Sequence, residues 1–170
     1  MELLPLHHSP EHLTTVAQWL YGEWGHLNKG SSVERAMAHL SKKPNRDGLP
    51  FSIIAKNNND VIGIARLVLF DIGIRQNLHP WLSSVYVPPN HRHKGIGRQL
   101  CQAIVDVSRE LSFQKIYLFT PNKTDFYAHL GWIRLEELEY RNEMVTIMYH
   151  ENQPPLATDS DQFRAVISAP

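Results

Sequence analysis

A single cysteine, Cys101, occurs in 170 residues, so no intrachain disulfide can form, and the composition fits a reducing compartment. Charge of one sign is equally lacking. Seventeen Lys and Arg balance seventeen Asp and Glu, so no global field draws nucleic acid or an anionic membrane surface. No apolar run approaches the length of a membrane span, and Met1–His8 has neither the basic start nor the sustained apolar stretch of a secretory signal. These absences together predict a soluble, cytoplasmic chain. Motifs for two hydrolytic chemistries are missing as well. There is no His-Glu-x-x-His or Cys-x-x-Cys for zinc, and His91-x-His93 sits in a basic turn that repels a cation, so no metal site is expected. No Gly-x-Ser-x-Gly elbow supports a Ser-His-Asp hydrolase.

What is present is enough apolar residue, 42%, for one compact domain with a real core. The domain is expected over residues 1–150. From 151 to 170 the composition turns to Gln153-Pro154-Pro155 and Thr158-Asp159-Ser160-Asp161, which reads as a tail, with Phe163, Val166 and Ile167 available to dock it. Ser9-Pro10 starts a helix whose apolar face is Leu13, Val16, Ala17 and Leu20, ending near Gly22. Ser31-x-x-Glu34 suits a capping box for a second helix that stops before Pro44. The period then changes to β. Phe51–Lys56 and Val61–Phe70 flank the polar turn 57–60 as a hairpin, and residues 71–80 form a loop into a strand over Trp81–Val87. Leu100, Ile104, Val107 and Leu111 mark the buried stripe of a helix. A strand over Lys115–Thr120, a short helix closing at Leu130-Gly131, and strands near 132–138 and 143–149 complete the pattern.

Between the Trp81–Val87 strand and that helix lies Pro88-Pro89-Asn90-His91-Arg92-His93-Lys94-Gly95-Ile96-Gly97-Arg98. A helix N-terminus has N–H groups without intrahelical acceptors, glycines let an anion come close to them, and Arg92, Lys94 and Arg98 add countercharge. The spacing fits neither the three-glycine dinucleotide fingerprint nor the Walker loop. It resembles the Arg/Gln-x-x-Gly-x-Gly/Ala signature of the GNAT acetyltransferase superfamily, matched by Arg92-His93-Lys94-Gly95-Ile96-Gly97 after a Tyr-Val-x-Pro strand end. The order of helices and strands is also that of the GNAT fold, an α/β (α+β) architecture with a mixed central sheet and helices on both faces.

The resemblance implies acetyl-CoA as cosubstrate and no metal. It implies Val85 and Val87 as main-chain contacts for the pantetheine arm, and Arg92, His93, Lys94, Gly95, Ile96, Gly97 and Arg98 as the pyrophosphate loop. Backbone amides near Val87 would also polarise the thioester carbonyl. Phe126-Tyr127-Ala128-His129-Leu130-Gly131-Trp132 resembles the family's Phe-Tyr-x-x-x-Gly-Phe element, which implies Tyr127 as the general acid that protonates departing CoA thiolate. One departure stands out. Many members carry an asparagine seven residues before that tyrosine; here the position is Thr120, and Asn122, two residues later and beyond Pro121, enters the candidate CoA set on a rebuilt loop. Thr124 suits a cap for the short helix.

Direct transfer to an amine needs no covalent enzyme intermediate. Cys101 has a helix start to lower its pKa but no partner base, and reads as a small core residue. For deprotonating the acceptor, His79 and Glu23 are the candidates, with Ser83 and Ser84 available to order a relay water. Trp24, Trp81, Trp132 and Tyr140 suit either an apolar cleft or the core. The implied acceptor is a primary amine on a small molecule or a protein N-terminus, and a homodimer stays open. A rival reading is a non-catalytic acyl-CoA sensor of the same fold; Tyr127 favours the enzyme.

Overall fold

The computed structural model describes residues 1–45 and 47–152. Seven strands form one sheet in the order β1-β2-β3-β4-β5-β7-β6: β1 Glu2–Pro5, β2 Phe51–Asn57, β3 Asp60–Val68, β4 Trp81–Tyr86, β5 Lys115–Thr120, β6 Ile133–Tyr140 and β7 Glu143–Glu151. Every neighbouring pair is antiparallel except β4 and β5. Helices α1 (Leu13–Trp24) and α2 (Val33–Leu40) cover one face, packing Val16, Ala17 and Leu40 onto Ile54, Val61 and Ile64. Helix α3 (Ile96–Glu110) covers the other, over Ile53, Ala55, Ala65, Leu67 and Leu82. Burial on both faces explains why β2 and β3 read as nearly continuous apolar runs.

The position of α3 matters most for the site. Ile96, Leu100, Ile104 and Val107 are buried, and each such side chain contributes roughly 1.5–3 kcal/mol when withdrawn from water, so the helix start is held firmly. Gly63 on β3 lets it lie close. A Cβ there would stand 2.9 Å from Leu100 Cδ1 and 3.2 Å from the Tyr86 carbonyl, so only hydrogen fits between helix and strand.

The expected helices and strands are present, with four differences of local chemistry. β1 was not expected, because four residues ending in proline give little periodicity; it is an edge strand, where Pro5 is tolerated, and pairs Leu3 with Ala55. Pro10 opens a 3₁₀ turn rather than α1, and α1 runs past the exposed Gly22 to Trp24. Ser32, not Ser31, caps α2, accepting from Arg35 N–H at 3.2 Å; Ser31 instead donates to the Gly25 carbonyl. Thr124 does not cap α4 (Thr124–Ala128); the Thr120 hydroxyl accepts from Lys123 N–H at 3.0 Å just before it. The packed body continues through Asn152, whose amide donates to Ser108 Oγ and the Phe113 carbonyl. Phe163, Val166 and Ile167 lie outside the described residues.

Candidate active site

β4 and β5 are parallel and pair at Trp81 and Tyr117, with Tyr117 N–H donating to the Pro80 carbonyl at 2.9 Å. Beyond that point they diverge. The cause is visible in the β3–β4 register: Arg66 faces Ser83 while Ile64 faces Tyr86, so three steps on β4 oppose two on β3. Ser84, at φ 54°, sits within this bulge. The rest of β4 therefore has no β5 partner among the described residues, and its main chain, including Val85, borders an open wedge in the sheet. Side chains of Val85 and Val87 pack toward the α3 side.

The wedge opens toward the start of α3. Arg92 is extended at φ −66°, while His93 at 61° and Gly95 at 77° are left-handed, a tight turn that leads straight into α3. Ile96, Gly97 and Arg98 add the helix's own N–H groups, which lack intrahelical acceptors. Such a helix start is suited to an anion held by main chain. Two of the expected countercharges have further work: Arg92 Nε donates to the Val87 carbonyl at 2.9 Å, and Lys94 Nζ to the Asn90 carbonyl at 3.2 Å, bracing the turn. Ile96 turns its side chain into the core, leaving only its backbone for a ligand. His93 and Arg98 are exposed.

On the other bank of the wedge, α4 places Phe126 against the same helix start, 3.7 Å from where a Gly97 Cβ would be. Tyr127 packs between Phe126, at 5.0 Å between ring centres, and the buried Trp132, at 6.1 Å. Its carbonyl accepts from Leu130 and Trp132 N–H groups at 2.9 and 3.1 Å, which fixes the turn that holds the ring. Burial, reinforced by nearby Cys101, pushes the phenol well above its ordinary pKa, so it stays a neutral donor. Cys101 itself is pushed up to about 12 by burial, which excludes a reactive thiolate and leaves the core role.

A cavity of 320 Å³ opens on the opposite face of the sheet, under the end of α2. His39, Lys42, Arg66, Asp71, Ser83 and the bulge residue Ser84 line it. Ser83 and Ser84 hydroxyls are 3.2 Å apart, so a polar chain runs from Asp71 through Ser83 to the bulge. Burial raises the Asp71 carboxyl above the usual carboxylate range, against the hydrogen bond from Ser83 and the charges of Arg66 and Arg141. The loop bearing Asp71 is tied down where Arg75 grips Glu136 through two bonds of 2.6 and 2.8 Å.

The Acetyltransferase (GNAT) family model matches residues 13–132, which span α1, the 92–98 turn and the Tyr127 turn. The chain belongs to the GNAT acetyltransferase family. An aminoglycoside 6'-N-acetyltransferase solved with coenzyme A superimposes with a TM-score of 0.73 at 16% identity, covering 92% of this chain and 99% of that one. The aminoglycoside 6'-N-acetyltransferase of Enterococcus faecium gives 0.70 at 16%, covering 92% and 99%. The ribosomal-protein-alanine N-acetyltransferase of Brucella melitensis gives 0.70 at 19%, covering 89% and 99%. At these identities the likeness shows the GNAT fold. No curated protein matches the sequence.

Within this GNAT domain the sequence-derived candidates divide. Val87 and Phe126, the residue before Tyr127, lie beside Gly97, so the end of β4, the 92–98 turn and the α4 turn come together at the start of α3. Asn122 lies exposed on the turn that Thr120 holds, so the chain supports this loop with a hydroxyl where the family pattern has an amide. His79 is exposed at the far end of β4, edge-on to Phe70 at 6.0 Å, and does not line the cavity. Glu23 is exposed on α1 and does not line it either. Trp81 and Trp132 are core. Asp71 and Arg66 were missed: a lone acid in a loop and a lone arginine in an apolar strand carry no motif. The interrupted apolar run of β3, Ile64-Ala65-Arg66-Leu67-Val68, was the one available signal.

Desolvation of Asp71 has a consequence for stability. A carboxyl raised in the folded state binds its proton more tightly there than in the unfolded chain, so its contribution is fully present below about pH 3.9 and is lost as pH rises through the raised value. Asp71→Asn should therefore gain stability relative to the native chain between pH 4 and pH 7. Unfolding midpoints of both proteins without ligand across that range check this, and a gap that does not widen with pH contradicts it.

Proposed function

We propose that this protein transfers an acetyl group from acetyl-CoA directly to a primary amine. The observation that carries the reading is that β4 parts from β5 after Trp81–Tyr117 while Val87 and Phe126, the neighbour of Tyr127, both flank Gly97 at the start of α3. In this reading the pyrophosphate rests on the N–H groups of residues 93–98, and Arg92, Lys94 and Arg98 surround it with positive charge. The pantetheine amides bond the main chain of β4 at Val85 and the N–H of Val87 just beyond it, the Val87 carbonyl being held by Arg92, which sets the thioester beside the bulge. Backbone N–H groups there stabilise the oxyanion as the amine attacks from the cavity side. The tetrahedral intermediate then expels CoA thiolate, and Tyr127 supplies its proton.

The cavity faces α2 and the cradle faces α3, so amine and thioester meet through the sheet at the bulge. An alkyl ammonium of pKa about 10.4 costs roughly 4–5 kcal/mol to deprotonate at pH 7, against about 1 kcal/mol for an α-amino group near 7.8. Neither His79 nor Glu23 lines the cavity, and turnover should rise with pH toward about 8–9 as the amine loses its own proton. His79→Ala and Glu23→Gln should each retain far more activity than Tyr127→Phe. Thiol release from acetyl-CoA with an amine panel tests the reading, since a sensor binds without turnover. Loss of activity in either variant as complete as in Tyr127→Phe would make that residue the base and remove the relay through Ser83 and Ser84.

A further inference from the structure

The acceptor cavity carries an unusual charge arrangement for an amine site. One wall is cationic. Arg66 rises from the middle of β3, largely withdrawn from water; burial lowers its pKa, the Asp71 charge across the cavity partly offsets this, and a guanidinium stays charged. Its Nε donates to Ser52 Oγ at 3.2 Å and its Nη2 to the His39 carbonyl at 3.4 Å, which leaves its remaining donors for the cavity. Among the described residues neither Arg66 nor Lys42 has a carboxylate within ion-pair distance. His39 is held below its ordinary pKa by burial and by Lys42, Arg66 and Arg35, so it adds a neutral imidazole to a positive wall. The opposite side supplies one carboxyl, Asp71, beside Ser83 and the bulge.

Asp71 is the carboxyl whose charge reaches Arg66, and it lies beyond ion-pair distance with burial raising its pKa, so the withdrawn guanidinium is only partly compensated and an arriving anion would meet it favourably. A polycationic amine would meet Lys42 and Arg66 at unfavourable range. The volume of 320 Å³ is at the small end for ligand pockets, so the occupant is a small molecule. Resting on the acetyltransferase reading above, we infer that the acceptor is a small amine that carries an anionic group, a carboxylate or a phosphate. The anion seats on Arg66 and Lys42, while the amino group lies toward Asp71 and the Ser83–Ser84 hydroxyls at the bulge. A planar carboxylate or a phosphate oxygen pair suits the Arg66 fork. The ammonium beside Asp71 is delivered on the thioester side of the cavity, so one pair of opposite charges both selects and orients the substrate.

The test uses the whole chain and matched acceptors, read by thiol release: β-alanine against propylamine, glycine against glycinamide, O-phosphoethanolamine against ethanolamine, with spermidine and kanamycin as polycations. Anionic members should exceed their neutral partners by about tenfold or more in kcat/KM. The carboxylate and phosphate pairs separate the two sources of the anion. Arg66→Met should erase the preference through KM, and Lys42→Met, at an exposed position, should reduce it without threatening the fold. Acetyl-CoA affinity by calorimetry should stay unchanged in both. If acetyl-CoA binds and the neutral or polycationic amines are used as well or better, the inference fails while the acetyltransferase reading stands. The same holds if acetyl-CoA binds and no anionic amine is consumed, or if both variants keep the native preference. If acetyl-CoA does not bind, the acetyltransferase reading fails and takes this inference with it.

Discussion

Tyr127→Phe is expected to lower turnover by about 10²–10⁴-fold, the usual worth of a positioned acid, while acetyl-CoA binds as before. The ring contacts with Phe126 and Trp132 survive the substitution, and the backbone bonds that hold the turn do not involve the hydroxyl. What is lost is one proton donor. Because burial raises the pKa of this phenol, it remains protonated throughout the range where an amine acceptor becomes neutral. The alkaline side of the pH profile should therefore show no loss attributable to Tyr127 below about pH 10. Single-turnover measurements separate the chemical step from product release. A near-native chemical step in Tyr127→Phe would mean that water protonates the thiolate and that the tyrosine is a packing residue.

Gly97→Val should weaken CoA binding by about 10²-fold or more, because the loss of even one or two charge-assisted bonds to a phosphate is of that size. The two glycines of the cradle are not equivalent as tests. Gly95 is at φ 77°, where a side chain strains the backbone by roughly 1–2 kcal/mol before any ligand is considered. Gly97 has ordinary helical geometry, and a Cβ there meets Phe126 at 3.7 Å and Val87 at 4.0 Å, both normal contacts. Gly97→Ala accordingly serves as the control for folding, and the added methyls of valine report on the space a pyrophosphate needs. Calorimetry with CoA and unfolding midpoints of the same samples decide it. A folded Gly97→Val with native affinity would remove the phosphate site from the start of α3.

Much of this fold is legible in the sequence. The hairpin of β2 and β3, the amphipathic α3 and the glycine cradle are local: each depends on residues within a few positions of one another, and their side-chain periods or turn chemistry carry the signal. The turn that packs Tyr127 against Phe126 and Trp132 was legible for a similar reason, since its aromatic residues and the Leu130-Gly131 stop are contiguous. β1 escaped because its register comes from β2, some fifty residues away, and four residues give no period of their own. Ser31 and Ser32 could not be told apart by spacing alone, because which hydroxyl reaches the helix depends on where the preceding loop must go.

The acceptor side divides the same way. Sequence by itself determined the order of elements of a GNAT domain and the two segments, 92–98 and 126–132, on which the proposed site rests, because these are written in short segments with fixed local geometry. Only the tertiary structure decided that Asp71, from a loop, and Arg66, from the middle of a strand, share one cavity with His39 and Lys42 from the end of α2. It also decided that His79 and Glu23 stay outside that cavity. The physical reason is that a cavity is made by packing three elements over a sheet, and the β4 bulge at Ser84 sets where the sheet opens. Neither event leaves a mark within a window of sequence; both follow from which long-range register buries the most apolar surface.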